Sequence, residues 1–322
     1  MNFRSATALW TDFKLSEGPR HTANAIGYLW ARHVCQQPVL RRRVFDYELE
    51  LDLADPGIAK TLAIFGKREL EHRLILQRVL RPGMVVWDCG ANIGYYAVME
   101  ARLVGPTGFV YTCEPAPSNI AFLRRNITLN GLADRVAIEE CAISNHDGTA
   151  TFHLSDLSNV HTLHPTSHRT GATVARMSGR TIAVPTFDVP TFLSSKRSVD
   201  LVRMDIEGHE VEVFEGIARA VRSGKFHGMI LFETHFRAYN DATHSMRAQL
   251  RALFALGYRA TALASSDERG TPLHALGYKP EQTIRTDGAT RGLYRGVRTE
   301  DAERVICDLG GVRTVLLTCA SS

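Results

Sequence analysis

The chain has 322 residues, 44% hydrophobic and 22% charged, an ordinary globular composition that excludes collagen-like, coiled-coil and wholly disordered chains. Its 38 basic and 34 acidic side chains give a net charge of +4, too small to make electrostatic capture of nucleic acid the expected function. The basic run Arg41, Arg42 and Arg43 is typical of a solvated helix end. The length allows one extended α/β domain or two unequal domains.

Cysteine usage and apolar run lengths bear on the compartment. The 6 cysteines form no C-x-x-C pair, so we expect neither a disulfide framework nor a cysteine zinc site. No apolar run reaches the roughly 18 residues that a membrane helix needs, and no secretory signal pattern is present. These features predict a cytoplasmic protein without a membrane span.

The hydrophobic pattern of the first 90 residues predicts an N-terminal extension followed by the first unit of an α/β sheet. The helical spacing of Ile26, Leu29, Trp30 and His33 is the basis for the first element. In chain order, the predicted elements are a helical leader over 1–45, a strand over 44–53, helices over 58–65 and 69–80, and a buried strand over 84–88.

Strands and helices alternate over the next part of the chain. The predicted elements are strands over 109–113, 136–140, 201–204 and 229–232, and helices over 118–130, 210–220 and 245–256. This alternation predicts a doubly wound, mostly parallel, Rossmann-like α/β sheet, and seven strands are expected. Additional strands over 149–157 and 181–187 bracket a polar loop, while the signal beyond Gly257 weakens to short β-like pieces that end over 312–317.

These elements suggest one catalytic unit with two appendages. The predicted divisions are an N-terminal helical and strand extension over 1–55, a cofactor-binding domain over 56–265 with a β insertion over 149–190, and a C-terminal extension over 266–322 that completes the sheet.

A glycine loop follows the first buried strand and is the strongest local feature. It reads Asp88-Cys89-Gly90-Ala91-Asn92-Ile93-Gly94-Tyr95-Tyr96. Glycines let the backbone turn sharply and approach a ligand at the carboxyl edge of a sheet. Because Asn92 stands where a dinucleotide fingerprint needs its second glycine, and no Gly-Lys-Ser/Thr follows, both a dinucleotide loop and a P-loop are excluded.

A second acidic landmark ends the next strand. Glu114 occupies the place where doubly wound folds put a carboxylate against ribose hydroxyls, with capping of the turn at Pro115 as the alternative. By position alone, Glu140, Cys141 and Ala142 are predicted at the adenine edge.

Further motifs follow in order between residues 60 and 235. They are Arg81-Pro82-Gly83, the glycine loop, Gly105-Pro106-Thr107-Gly108, Glu114-Pro115-Ala116-Pro117-Ser118-Asn119, Asn130-Gly131 and Met204-Asp205-Ile206-Glu207-Gly208-His209-Glu210. The ordered set resembles the FkbM family of class I S-adenosylmethionine-dependent methyltransferases. The resemblance implies a class I methyltransferase fold, S-adenosyl-L-methionine as methyl donor, and O-methylation of a hydroxyl or carboxyl group on a sugar or secondary metabolite.

The resemblance also implies a set of cofactor contacts. The predicted cofactor-binding residues are Asp88, Gly90, Ala91, Asn92, Gly94, Tyr95, Glu114, Pro115, Asn119, Glu140, Cys141, Ala142 and Asp205. Three positions depart from the family pattern. Cys89 replaces an aliphatic residue, and His209 replaces a small residue. Phe187-Asp188-Val189 stands in place of Leu-Asp-Asp.

The acidic motif after the 201–204 strand supplies candidate catalytic residues. Side chains two residues apart point the same way in an extended segment, so Asp205, Glu207 and His209 are predicted to share one face. Methyl transfer from a sulfonium is an in-line displacement, and the acceptor oxygen must lose its proton to a carboxylate or imidazole. The alternative for Glu207 is capping of the following helix.

The strand over 229–232 is followed by a similar pair. Glu233 and His235 are predicted as catalytic residues, and the base is left open among Asp205, Glu207, His209 and His235. Two acids with an imidazole can hold a divalent ion, but nothing in the pattern requires one, and no metal is predicted.

The polar loop over 161–180 contains His161, His164 and His168. Pro165 interrupts their helical spacing, so we interpret the segment as an acceptor-binding loop and not as a metal face. The candidate acceptor contacts are Ser158, Asn159 and His161.

Two other functions stay open, an N-methyltransferase for a peptide or nucleic acid and a non-catalytic cofactor-binding scaffold, while a nicotinamide-dependent dehydrogenase is disfavoured by the broken fingerprint. The expected partner is a small-molecule acceptor, either a sugar, a secondary metabolite or a peptide, and no nucleic acid is expected. The oligomeric state is open, with a homodimer among the alternatives.

Overall fold

A computed structural model describes residues 18–164 and 177–319. The strands are β1 Val39–Val44, β2 Tyr47–Asp52, β3 Val85–Cys89, β4 Phe109–Cys113, β5 Val136–Glu139, β6 Ala142–Ser144, β7 Gly148–Ser155, β8 Met177–Asp188, β9 Leu201–Met204, β10 Met229–Glu233, β11 Tyr258–Ser265, β12 Gln282–Thr286, β13 Ala289–Tyr294 and β14 Val312–Cys319.

The helices lie between these strands. They are α1 Gly18–Leu29, α2 Ile58–Phe65, α3 Leu70–Val79, α4 Tyr95–Leu103, α5 Pro117–Leu129, α6 Val189–Ser194, α7 Glu210–Arg222, α8 Met246–Ala255, α9 Pro272–Ala275 and α10 Thr299–Arg304, with π-helical turns Trp30–Val34 and Val305–Leu309 and a 3₁₀ turn Phe236–Ala238.

The central sheet has the strand order β12-β13-β11-β14-β10-β9-β3-β4-β5. Strands β10, β9, β3, β4 and β5 pair in parallel, and β14 lies antiparallel between β10 and β11. The arrangement confirms the predicted class I methyltransferase fold. The sheet is wider than the seven strands expected, because the hairpin β12–β13 extends its edge beyond β11.

Helices cover both faces of this sheet. Successive side chains of a strand point to opposite faces, and along β3 Val85, Trp87 and Cys89 belong to one buried cluster while Val86 belongs to another. Residues of α6, α7, α8 and α10 join the first cluster, and residues of α2, α3, α4 and α5 join the second. Because both faces are covered, the parallel strands are mostly apolar, and Asp88 and Arg203 are buried charged exceptions.

The insertion forms its own small sheet, in the order β6-β8-β7. Strand β8 pairs parallel with β6 and antiparallel with β7, which brings the chain after β7 back toward the carboxyl edge of the central sheet. The two strands predicted here are therefore confirmed, and β6 is a third strand that was not expected. Pro165 and His168 of the predicted polar loop lie outside the described residues.

The N-terminal region differs from its prediction in three ways. The helical leader predicted over 1–45 does not extend to Arg41, Arg42 and Arg43, which lie in strand β1 and not at a helix end, because this segment pairs with β2. The single strand predicted over 44–53 is the second half of a hairpin, β1–β2, because Phe45 adopts a positive φ of 55° and turns the chain. Helix α1 buries His21 and Tyr28, whereas Ile26 and Trp30, part of the predicted apolar stripe, are 62% and 60% exposed. The spacing thus predicted the helix and misassigned its buried face.

Among the described residues, no helix combines the length and the apolar character that crossing a bilayer requires.

Candidate functional site

A cleft opens at the carboxyl ends of β3, β4 and β9, where open α/β sheets bind ligands. The predicted site residues that line it are Gly90, Ala91, Asn92, Tyr95, Glu114, Pro115, Asn119, Cys141, Ala142, Ser158, Asn159, His161, Asp205, Glu207 and His209.

The glycine loop is shaped by two positions that have no room for a side chain. Gly90 has a φ of +83°, and a Cβ there would lie 2.2 Å from the carbonyl oxygen of Asp205. Gly94 has a φ of +90°, and its Cβ would lie 2.9 Å from Leu123 Cδ1. The loop therefore packs directly on the end of β9 and on α5, which positions the backbone of residues 90–92 along the cleft wall.

We expect Gly90→Ala to lower the free energy of unfolding by about 3 kcal/mol, from a positive φ combined with a backbone clash. Gly131→Ala is the matched control, since Gly131 has a φ of +64° with nothing within 4 Å of its Cβ position, and should lose only about 1–2 kcal/mol. Urea unfolding of both variants measures the difference. Equal losses would contradict the close approach of Gly90 to Asp205.

Glu114 is buried at the end of β4 and connects the glycine loop to α5. Its Oε1 accepts hydrogen bonds from Ala116 N at 2.9 Å and Asn119 Nδ2 at 3.3 Å, and its Oε2 accepts one from Asn92 N at 2.8 Å. The turn-capping alternative is thus present in the structure. A carboxylate oxygen has two lone pairs, so Oε2 can accept a further hydrogen bond from a ligand hydroxyl. Burial raises the pKa of Glu114 to about 7.

Three predicted cofactor residues lie away from the cleft wall. Asp88 is fully buried behind the loop, and Gly94 packs on α5. Glu140 is exposed and forms an ion pair with Arg124 at 2.6 Å, so the structure gives no support for its predicted place at the adenine edge. The reason is that β5 ends at Glu139 and the chain turns outward before Cys141 enters the cleft.

Arg203 is a site residue that the sequence patterns missed. Its side chain is 2% exposed, and its guanidinium donates to Asp88 Oδ1 at 3.1 Å, to Asp205 Oδ2 at 3.1 Å and to the carbonyl of Gly90 at 3.2 Å. The ring of Tyr96 lies 4.0 Å beneath it. An arginine inside the apolar strand 201–204 was the available signal, because a buried charge must be paired.

This arginine joins the glycine loop to the acidic motif. Burial raises the pKa of Asp88, and the charge of Arg203 opposes that rise. The charges of Asp88 and Asp205 outweigh burial and raise the pKa of Arg203. Since the guanidinium is shared, the orientation of the Asp205 carboxylate depends on Asp88, which does not itself reach the cleft.

The acidic motif does not have the extended geometry predicted for it. Strand β9 ends at Met204, and positive φ values of 55° at Glu207 and 102° at Gly208 turn the chain into α7. Asp205 and Glu207 nevertheless both line the cleft, as does His209 from the other side of the turn. The alternation rule was wrong here because it applies only while the backbone stays extended.

His235 connects the two acids of this motif. Its Nε2 lies 3.8 Å from Asp205 Oδ1 and 3.9 Å from Glu207 Oε2, and its Nδ1 lies 2.9 Å from Oε1 of the fully buried Glu210. Burial lowers the pKa of His235, but the charge and hydrogen bond of Glu210 outweigh burial and raise that pKa well above the ordinary value. Glu210 is therefore a positioning residue that directs Nε2 toward the cleft acids.

Glu233 lies deeper than the other candidates. Its carboxylate forms an ion pair with Arg313 of β14, with 2.8 Å between Oε1 and the guanidinium Nη1. Burial raises the pKa of Glu233 to about 8, with Arg313 acting in the opposite direction. Neither Glu233 nor His235 lines the cleft itself, and His235 reaches it only through Asp205 and Glu207.

His209 occupies a different environment from His235. Its ring is buried, with Nε2 3.1 Å from Ser144 Oγ and Nδ1 2.8 Å from His164 Nε2. Burial lowers the pKa of His209 to about 4, so the ring is neutral at physiological pH.

The segment after β7 closes over the cleft. The carbonyl of Ser158 accepts hydrogen bonds from Asn92 Nδ2 at 2.9 Å and Asn119 Nδ2 at 3.0 Å, and its hydroxyl donates to Asp55 Oδ2 at 2.9 Å. Asn159 Oδ1 is buried and finds no hydrogen-bond donor among the described residues, although it lines the cleft. The three predicted acceptor contacts are thus brought to the site, with Asp55 as an anchor that the sequence did not indicate.

Comparison with known proteins adds a match to the FkbM methyltransferase domain over residues 88–260, more than half of the chain. The chain belongs to the FkbM methyltransferase family. The match includes the glycine loop, Glu114, the insertion, the acidic motif and His235, so most residues that line the cleft of this FkbM-family chain lie within the matched region, and Ile58, Arg68 and Glu69 lie before it.

Several curated proteins are similar to this FkbM-family chain. The 31-O-demethyl-FK506 methyltransferase FkbM of Streptomyces tacrolimicus is 45% identical over 69 residues, which are 21% of this chain and 25% of that protein. The 2-O-methyltransferase NoeI of Sinorhizobium fredii is 30% identical over 166 residues, 48% of this chain and 66% of that protein. The hexuronic acid methyltransferase AglP of Haloferax volcanii is 28% identical over 167 residues, which are 51% of this chain and 60% of that protein.

The chain therefore covers 25% of the length of the first of these relatives and 66% of the length of the second. Among solved structures, the methyltransferase FkbM of Methylobacillus flagellatus is 14% identical, with a TM-score of 0.39, covering 73% of this chain and 52% of that one.

The positions that depart from the family pattern have local explanations. Cys89 is buried in the core beside Trp87, so its change affects packing. Asp188 forms an ion pair with Arg219 of α7 and fixes the start of α6 to that helix. His209 is the departure closest to the chemistry, because it lines the cleft and contacts a second histidine.

Proposed function

We propose that this chain is an S-adenosylmethionine-dependent O-methyltransferase acting on a hydroxyl or carboxyl group of a sugar or secondary metabolite. The observation that carries the proposal is the arrangement of one cleft. A glycine loop, a buried carboxylate and the two carboxylates of Asp205 and Glu207 line it, and His235 lies within 4 Å of both of these last two carboxylates.

The glycine loop, Glu114 and the acidic motif offer groups that fit the cofactor. Glu114 Oε2 is available to a ribose hydroxyl, the backbone of Gly90 and Ala91 borders the cleft, and the acids Asp205 and Glu207 suit a cationic ligand. Bound there, S-adenosylmethionine would supply an electrophilic methyl group attached to a sulfonium.

A second task of the site is to accept the proton of the acceptor. We assign this task to Asp205, Glu207 and His235 as one group, because His235 Nε2 lies within 4 Å of both carboxylates. A proton that leaves the acceptor hydroxyl passes to this group as the oxygen attacks, and Glu210 stabilises the resulting imidazolium. Positioning the oxygen in line with the methyl carbon is the second contribution of the site.

The acceptor class is inferred from the names of relatives and from the segment after β7 that closes over the cleft. Two of the three relatives are named for an acceptor, 31-O-demethyl-FK506 and hexuronic acid, and two of the three names specify transfer to oxygen. In this chain, Ser158, Asn159 and His161 offer polar groups to an acceptor with several hydroxyls.

The proposal is tested by calorimetry with S-adenosylhomocysteine, followed by methyl transfer from labelled S-adenosylmethionine to a panel of glycans, uronic acids and polyketides. We expect micromolar binding and labelled product with an oxygen acceptor. Absence of binding would overturn the cofactor assignment. Binding without turnover on any acceptor would favour the scaffold alternative.

We expect Glu114→Gln to weaken S-adenosylhomocysteine binding about 10- to 100-fold, because charge-assisted hydrogen bonds contribute about 1.5–3 kcal/mol. With a pKa of about 7, the carboxyl becomes neutral as the pH falls, so wild-type affinity should decline below pH 7 and the variant should lack that decline. Glu140→Gln is the matched control and should bind normally, since Glu140 is exposed and paired with Arg124. A normal Glu114→Gln with a weakened Glu140→Gln would reverse the two assignments.

A further inference from the structure

Beside the cleft, three imidazoles surround one carboxylate, in a group separate from the proposed proton-accepting group. The Oε1 of Glu212 lies 3.2 Å from His164 Nε2 and 3.3 Å from His244 Nδ1, and its Oε2 lies 3.4 Å from His209 Nδ1. The rings of His164 and His209 approach each other at 2.8 Å between Nε2 and Nδ1. Ligand atoms of His164, Glu212 and His244 all lie within 4.8 Å of one another.

We propose that His164, Glu212 and His244 bind a zinc-class divalent transition metal ion, with His209 beside the group. Imidazole nitrogen and carboxylate oxygen are ligands that Zn²⁺ takes at about 2.0–2.2 Å in tetrahedral sites, which places neighbouring ligand atoms about 3.3 Å apart. The separations of 3.2 and 3.3 Å between Glu212 Oε1 and the nitrogens of His164 and His244 match that spacing.

The outer contact of His244 orients it as a metal ligand, and His209 beside it has a similar outer contact. His244 Nε2 lies 2.8 Å from the carbonyl oxygen of Gly208, which requires the proton on Nε2 and leaves the Nδ1 lone pair directed at Glu212. His209 Nε2 lies 3.1 Å from Ser144 Oγ, with its Nδ1 turned inward. Metal-bound histidines commonly donate their other N–H to a carbonyl or similar group.

A second group, Asp205, Glu233 and His235, also has ligand atoms within 4.8 Å of one another. It is the weaker metal candidate because Asp205 is paired with Arg203 and Glu233 with Arg313, and a guanidinium disfavours a nearby cation. Among the described residues, the carboxylate of Glu212 has imidazole partners and no arginine or lysine within ion-pair distance.

The proposed ion would join three separate parts of the chain. His164 ends the segment that closes over the cleft, Glu212 lies in the first turn of α7, and His244 precedes α8. Thr162, two residues before His164, donates to the carbonyl of Glu207 at 3.2 Å. Binding at His164 therefore fixes this segment against the acidic motif. The proposal differs from the sequence prediction of no metal, since the proposed ligands come from residues far apart in the chain.

The test uses the full chain produced without a polyhistidine tag, stripped with a chelator and titrated with Zn²⁺ against a chromophoric chelator. We expect one zinc per chain, and Co²⁺ in its place should give the intense visible absorption of a tetrahedral site. Glu212→Gln and His244→Ala should weaken zinc binding by about 100-fold or more. His274→Ala is the matched control, because it removes a histidine paired with Glu268 at 3.0 Å elsewhere on the surface and should bind zinc normally.

Two results would overturn the proposal: less than one zinc per wild-type chain, or unchanged affinity in both ligand variants. Loss of zinc in Asp205→Asn with retention in Glu212→Gln would also overturn it, by placing the ion in the second group. Circular dichroism of each stripped variant establishes that the fold persists without metal. Zinc content does not depend on methyl transfer, so this outcome is separate from the test of the proposed function.

Discussion

Replacing His235 by Asn is expected to lower kcat about 10²- to 10⁴-fold, the usual contribution of a general base. The amide cannot accept the proton that Asp205, Glu207 and His235 share in the proposed mechanism. S-adenosylhomocysteine binding should change little, because His235 does not line the cleft. Labelled methyl transfer and calorimetry on the same preparation separate the two effects. The exposed His227→Asn is the control and should retain full turnover.

The pH profile distinguishes a base from a structural histidine. Glu210 raises the pKa of His235 well above its ordinary value, so neutral imidazole is scarce at low pH and kcat/KM should increase as the pH rises through that pKa. Glu210→Gln removes the negative charge that stabilises the imidazolium, which lowers the pKa and moves the rising limb to lower pH. An unchanged profile in Glu210→Gln would show that another group controls the reaction.

Arg203→Met is expected to cost about 3–5 kcal/mol of unfolding free energy, because removing one partner of a buried ion pair leaves an uncompensated charge. Here the loss is shared by Asp88, which is fully buried, and Asp205, which is partly exposed. Adding Asp88→Asn to Arg203→Met should recover part of the stability, since the amide carries no charge to leave unpaired. Urea unfolding measures both variants.

Arg41→Met serves as the comparison for an exposed pair. The Arg41 side chain is 55% exposed and its contact with Glu50 is 3.2 Å, so a loss of about 0–1 kcal/mol is expected. If Arg203→Met is no more destabilised than Arg41→Met, the guanidinium does not hold the loop and the acidic motif together as inferred.

Local patterns were sufficient where the relevant contacts are close in the sequence. The alternation of strands and helices predicted the parallel core of the sheet, and helix α2 has the bounds predicted for it, 58–65. The glycine loop was recognisable because the geometry at Gly90 and Gly94 depends on backbone conformation that only certain residues adopt. Strand β8 was predicted too short because its start at Met177 is defined by pairing with Ser155 of β7 after a register shift, a contact that the local pattern does not contain.

The parts of the site that the sequence patterns did not predict depend on contacts between residues that are distant in the chain. Arg203 and Asp88 are 115 positions apart, His235 and Glu210 are 25 apart, and His209 and His164 are 45 apart. No spacing rule relates such pairs, because which strands and loops meet is decided by the packing of the whole sheet. The extended geometry assigned to Asp205, Glu207 and His209 failed for a local reason: the chain turns at Glu207 to begin α7.

The sequence by itself determined the fold class, the family resemblance and the carboxyl edge at which the site would form, because these follow from periodicity and from motifs that lie along one stretch of chain. Only the tertiary structure decided which groups touch. It placed Glu140 outside the cleft, joined Asp88 to Asp205 through Arg203, oriented His235 with Glu210 and gathered three histidines around Glu212. Hydrogen bonds and ion pairs act over a few ångströms, and that proximity is created by folding.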